Sequence, residues 1–179
     1  MERSELAFVH ARRAYERAHI SSAARGIALA AVFVVLAVGL HHTSQFTWIV
    51  AGCLAITLAT LGFRGGAARR GALAGVLAGL PVFIAPTIVF SIAHGGMQCP
   101  NCELGPTAAC LVTCLTTSLL AGAALGYSTR SQPLRFVAGA IASALFVGLL
   151  GCATTGISGA VGIVVGVLAG SATVRFVHA

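Results

Sequence analysis

Along this chain apolar residues come in long unbroken runs, and polar residues are confined to the gaps between them. Six runs stand out, over residues 23–40, 46–63, 71–93, 106–127, 134–152 and 158–176. Each has roughly the length, about 18–23 residues, that an α-helix needs to cross a hydrocarbon core about 30 Å thick. The strands of a membrane barrel would alternate apolar and polar positions, and these runs do not. The pattern therefore predicts an all-α polytopic membrane protein with six transmembrane helices in a bundle (residues 23–179). A polar arm of residues 1–22 precedes it.

Small residues punctuate the runs at helical spacing. Gly71, Gly75 and Gly79 recur every fourth position in span 3, as do Gly162, Gly166 and Gly170 in span 6. Ridges of this kind let helices approach closely where no hydrophobic effect drives them together, so they are expected at bundle contacts. Pro81 and Pro86 predict a kink in span 3. Spans 1, 3 and 5 each begin just after an Arg, which suggests three successive helical hairpins.

Composition agrees with the pattern. The chain is 58% hydrophobic and 8% charged, too apolar for a soluble domain of 179 residues, which must still present polar atoms to water. All 11 basic residues are Arg, against 4 acidic ones, for a net charge of +7. Arg3, Arg12, Arg13, Arg17 and Arg25 precede or open span 1. Arg64, Arg69 and Arg70 lie between spans 2 and 3, Arg130 and Arg135 between spans 4 and 5, and Arg175 at the end of span 6. The intervening loops contain none. The positive-inside rule then predicts a multi-pass protein of a bacterial inner membrane with both termini in the cytoplasm. It also explains the charge better than nucleic acid does. The polar start argues against a cleavable signal peptide.

The arm, "MERSELAFVHARRAYERAHISS", reads as an amphipathic helix. Phe8, Ala11, Tyr15 and Ala18 form one stripe, Arg12 and Glu16 can pair at i, i+4, and Ser21 and Ser22 can turn or cap into span 1. Two readings stand side by side. In one, the helix lies on the anionic leaflet of the bilayer. In the other it docks a cytosolic partner through Phe8, Ala11, Arg12, Tyr15 and Arg17.

Sulfur collects at the opposite side. The stretch "HGGMQCPNCELGPTAACLVTC" holds Cys99, Cys102, Cys110 and Cys114. Cys152 closes span 5, and Cys53 lies in the outer half of span 2. An oxidising periplasm favours disulfides there. Cys99 and Cys102 have the spacing of a redox pair, and Cys110 or Cys114 can bond Cys152 across spans. Alternatively Cys99, Cys102, Cys110 and Cys114 supply four thiolates for zinc or copper, or the cysteines pack as small apolar residues. No other cofactor is expected.

The spans carry no Asp, Glu, Lys or Arg except at their inner ends, which counts against ion-coupled transport. Hydrolysis lacks a Ser–His–acid set at the outer face. Thiol oxidoreduction is the one enzymatic chemistry that fits; otherwise the chain is not an enzyme.

The segment "CLVTCLTTSLLAGAALGYSTRSQPLRFVAGAIASALFVGLLGC", with the small-residue span that follows it to Arg175, resembles the six-span membrane anti-sigma factors of the NrsF type. The CarR-type light-response regulators are similar in design. The resemblance implies that the arm and inner loops sequester an extracytoplasmic-function sigma factor. It implies release on an outside stimulus, whether redox, metal, or light and oxidative stress. It also implies that a cysteine near the outer end of span 4, here Cys110 or Cys114, acts in sensing with Cys152. The chain departs from the family pattern at Gly151, where a His is frequent, and in its additional Cys99 and Cys102.

Overall fold

A computed structural model describes residues 2–39, 44–96, 106–152 and 157–176. Among them there are six α-helices and no strand: α1 (Glu2–Gly39), α2 (Gln45–Arg64), α3 (Gly66–Gly96), α4 (Pro106–Ser128), α5 (Leu134–Gly151) and α6 (Ile157–Phe176). Five are long and apolar enough to cross a membrane. The sixth, α6, has a shorter apolar stretch over Gly159–Val174. Apart from the start of α1, the helix ends lie close to the edges of the apolar runs.

Local chemistry sets these ends. Ser44 caps α2, its hydroxyl accepting from the Thr47 N–H at 3.3 Å, which satisfies one of the orphan donors of the first turn. The corner between α2 and α3 takes two consecutive left-handed residues, Gly65 (φ +65°) and Gly66 (φ +56°). Only glycine adopts that conformation without steric cost. Pro133 leads into α5 with its carbonyl accepting from the Phe136 N–H at 2.8 Å. Pro81 and Pro86 lie inside α3, and helical structure continues through both.

The arm is not a separate helix. Residues 2–39 form one continuous α-helix, so no turn interrupts α1 at Ser21 and Ser22. Ser21 instead donates back to the Ala18 carbonyl at 2.9 Å, an interaction a helix accommodates without breaking. The expected Arg12–Glu16 pair forms, at 3.0 Å, with both side chains mostly in solvent. Removing it with Glu16→Gln should lower helix stability by no more than about 0.5 kcal/mol, measurable as helicity of the isolated segment.

Val35, Ile49, Ile56, Leu77 and Leu120 face outward, and the closest approaches between helices are made at glycines, as expected where lipid surrounds the bundle. α1 and α2 form an antiparallel hairpin. A Cβ at Gly26 would stand 2.6 Å from the Leu58 carbonyl oxygen, and one at Gly62 would stand 2.9 Å from that of Ser22.

Beyond this first pair the hairpin expectation is corrected. α3 packs most extensively on α5, and α4 on α6. Gly71, Gly75 and Gly79 face Phe136, Ala140 and Val147 in turn, so α3 and α5 run parallel. On the other pair, Gly122 and Gly126 face Val167 and Ser171, and Gly166 and Gly170 face Ser118 and Leu119. Glycine ridges exist on both helices of that pair, and each lets the other approach closely. The α5–α6 contact is slight by comparison.

A larger apolar cluster joins the pairs. Phe33 of α1 meets Phe83 of α3 edge to face at 5.7 Å, next to buried Leu54, Val147 and Leu150. Most buried hydroxyls donate back to a carbonyl three or four residues earlier, as when Ser143 donates to that of Gly139 at 2.8 Å and Thr129, just past α4, to that of Leu125 at 2.6 Å.

Candidate functional sites at the two ends of the bundle

Among the described side chains of α4 the buried positions are Cys114, Ser118, Ala121, Gly122, Leu125 and Gly126, a stripe at helical spacing that points one face into the bundle. Cys114 belongs to this stripe. α5 ends at Gly151, whose lack of a side chain lets it press against the Phe83 backbone of α3. The next residue, Cys152, closes the helix with its N–H donating to the Gly148 carbonyl at 3.2 Å. Cys114 and Cys152 are joined as a disulfide between α4 and the end of α5.

The bond is deep in the structure. Cys114 is 0% exposed and Cys152 1%, among Val82, Ala121, Ile163 and Val167. One turn along α4, the Ser118 hydroxyl lies 3.0 Å from the Leu115 carbonyl and 3.4 Å from that of Gly162 on α6. Four helices, α3, α4, α5 and α6, therefore meet around the bridge. Of the two partners considered for Cys152, the structure pairs it with Cys114. Cys110 belongs to α4 one turn earlier, but its side chain lies outside the described residues, as do Cys99 and Cys102 altogether. A bridged Cys114 has no thiolate to offer, so the four-thiolate zinc or copper alternative applies only to the reduced protein. Among the described residues no group of three or more metal-ligating side chains occurs. Cys53 is a half-buried free thiol on α2.

The other end is cationic. α5, 18 residues long, separates Arg135 from Cys152 by about 26 Å at the rise of an α-helix. At the Arg135 end the α1–α2 hairpin places its own polar residues together. Tyr15 and His19 stack with centroids 4.0 Å apart, and His19 meets Phe63 edge-on at 5.5 Å. The His19 Nδ1 is 2.9 Å from the Tyr15 carbonyl oxygen. A carbonyl only accepts, so Nδ1 carries the hydrogen.

These side chains, with Glu16, Ile20 and Arg64, line a groove of about 440 Å³. Of the five arm residues expected to bind a partner, Tyr15 is 66% exposed on this groove, and Arg12 and Arg17 are exposed on the same helix. The side chains of Phe8 and Ala11 lie outside the described residues. His19, Ile20, Phe63 and Arg64 were not among the partner-binding residues expected from the sequence. His19 follows Tyr15 by one turn, and an antiparallel hairpin that sets Ser22 beside Gly62 necessarily brings residue 19 near residue 63.

In comparisons with protein-family models, curated proteins and solved structures, the chain matches none.

Proposed function

We propose that this chain is a six-span inner-membrane anti-sigma factor, with its N-terminal helix in the cytoplasm and its cysteines on the periplasmic side. The observation that carries the reading is the Cys114–Cys152 bond. It couples spans 4 and 5 at the end of the bundle opposite the arginines, at positions where the resemblance implies a sensing pair. In this reading the exposed arm holds an extracytoplasmic-function sigma factor, with Tyr15 and the groove beside it as its centre and Arg12 and Arg17 as its rim. Six spans follow, α6 included.

The bridge ties one glycine-packed pair, α3 with α5, to the other, α4 with α6. Oxidation of the two thiols by a periplasmic oxidant forms this tie with loss of two protons and two electrons, whereas in the dithiol form the pairs are free to slide, the shear type of rearrangement. α2 packs on α5, and α1 on α2, so a shift of α5 reaches the arm through contiguous helices. The thiol oxidoreductase alternative draws less support. A disulfide with both sulfurs buried is poorly placed for attack by a substrate thiolate, which needs access to one sulfur.

The test is co-expression with a candidate sigma factor followed by purification in detergent. The intact chain should retain the sigma factor. A variant lacking residues 2–18, or carrying Tyr15→Ala with Arg12→Ala and Arg17→Ala, should lose it by at least about tenfold, as expected when an aromatic anchor and its charged rim are removed. Retention unchanged in both variants rules out the arm as the binding element.

A further inference from the structure

The arginines at one end of this bundle greatly outnumber the acids that could neutralise them. The chain has 11 Arg and 4 acidic residues, and the ion pair seen among the described residues is Arg12–Glu16. At that same end α1, α2 and α3 converge on a cleft of about 230 Å³. Ser22, Arg25 and Leu29 line it from α1, Leu58 from α2, and Arg69 and Leu73 from α3. On both α1 and α3 the polar residue comes first and the leucine about one turn later. The hydroxyl and guanidiniums therefore gather at one end of the cleft and the leucines at the other.

Ser22 adds an independent observation. It is 9% exposed, and its Oγ is the buried side-chain oxygen or nitrogen without a hydrogen-bond partner among the described residues. Neighbouring Ser21 returns its hydroxyl to the helix backbone, but Ser22 does not. A buried hydroxyl left unpaired costs free energy that a bound acceptor would recover. A second cavity nearby, about 640 Å³ and lined by Arg64 and Arg135, has guanidiniums but no unpartnered buried polar atom.

We infer that the cleft between α1, α2 and α3 is a binding site for one anionic phospholipid. The phosphate oxygens sit between the Arg25 and Arg69 guanidiniums and accept from the Ser22 hydroxyl. The first carbons of an acyl chain run along Leu29, Leu58 and Leu73. Charge-assisted hydrogen bonds to phosphate are the strong class, and apolar lining beside them selects an amphiphile over a free ion. The site is separate from the groove on the arm and from the disulfide.

The experiment is native mass spectrometry of the full chain released from detergent, titrated with phosphatidylglycerol, phosphatidylcholine or inorganic phosphate. Phosphatidylglycerol should bind one to one and phosphatidylcholine weakly. Arg25→Gln with Arg69→Gln should weaken phosphatidylglycerol about 30-fold, at roughly fivefold for each arginine near a lipid headgroup. Ser22→Ala alone should cost about tenfold. Arg64→Gln with Arg135→Gln removes the same charge from the other cavity and should leave the adduct in place. Formation of the Cys114–Cys152 bond reports that each variant is folded; if the glutamine pair fails that check, Ser22→Ala decides the matter. Equal losses in the two arginine pairs, or no loss in Ser22→Ala, overturn the site. Full displacement of the lipid by inorganic phosphate shows instead a phosphate site with no role for the chain.

Discussion

Gly75→Val should separate α3 from α5 and cost about 3 kcal/mol or more, the upper end for forcing extra atoms into a packed contact. A Cβ at position 75 would collide with the backbone of Ala140. Backbone cannot rotate away as the end of a flexible side chain can. The parallel helices must move apart instead, and the loss spreads to the close approaches a turn to either side, of Gly71 to the Phe136 backbone and of Gly79 to the Val147 side chain. Unfolding in mixed detergent should register the loss. Gly52→Ala is the control, since nothing lies within 4 Å of its added Cβ, and helix propensity alone should make it neutral or stabilising by up to about 1 kcal/mol. Equal effects of the two substitutions would mean that α3 and α5 are not held by close backbone approach.

Cys152→Ala should cost about 2–4 kcal/mol. The bond closes a chain segment with a sequence separation of 38, for which the chain-entropy account gives about 4 kcal/mol. Helices already inserted in lipid have less freedom to lose, which brings the figure down. Alkylation of the denatured, unreduced protein should spare both Cys114 and Cys152, and reduction should then expose them together. Cys110→Ser should leave that protection unchanged, whereas Cys152→Ala should free Cys114. Ready alkylation of Cys114 in the unreduced native chain would contradict the pairing.

Helix placement was almost fully legible in the sequence, because a helix surrounded by lipid must be apolar on every side and so declares its own length. The Cys114–Cys152 bond was one of two pairings left open, since Cys110 and Cys114 share a face and spacing alone does not choose between them. Packing partners were less legible. A glycine ridge says that something approaches closely without saying what, so Gly71, Gly75 and Gly79 carry no mark of α5. The Ser21–Ser22 dipeptide misled for a local reason: serine suits a cap, but it is also tolerated inside a helix when its hydroxyl returns to a carbonyl, as that of Ser21 does. Gly26 and Gly62, which close the α1–α2 hairpin, belong to no run of regular spacing and went unmarked.

The unbroken course of α1 has a mechanical consequence. Its 38 residues make a rod about 57 Å long at 1.5 Å per residue, nearly twice the thickness of a hydrocarbon core. About 35 Å of that rod lies ahead of Arg25. Pivoting there by about 10° swings the leading end through about 6 Å, roughly the pitch of one helical turn. A small tilt of the span is thus delivered enlarged at the tip, with no joint along the way to absorb it.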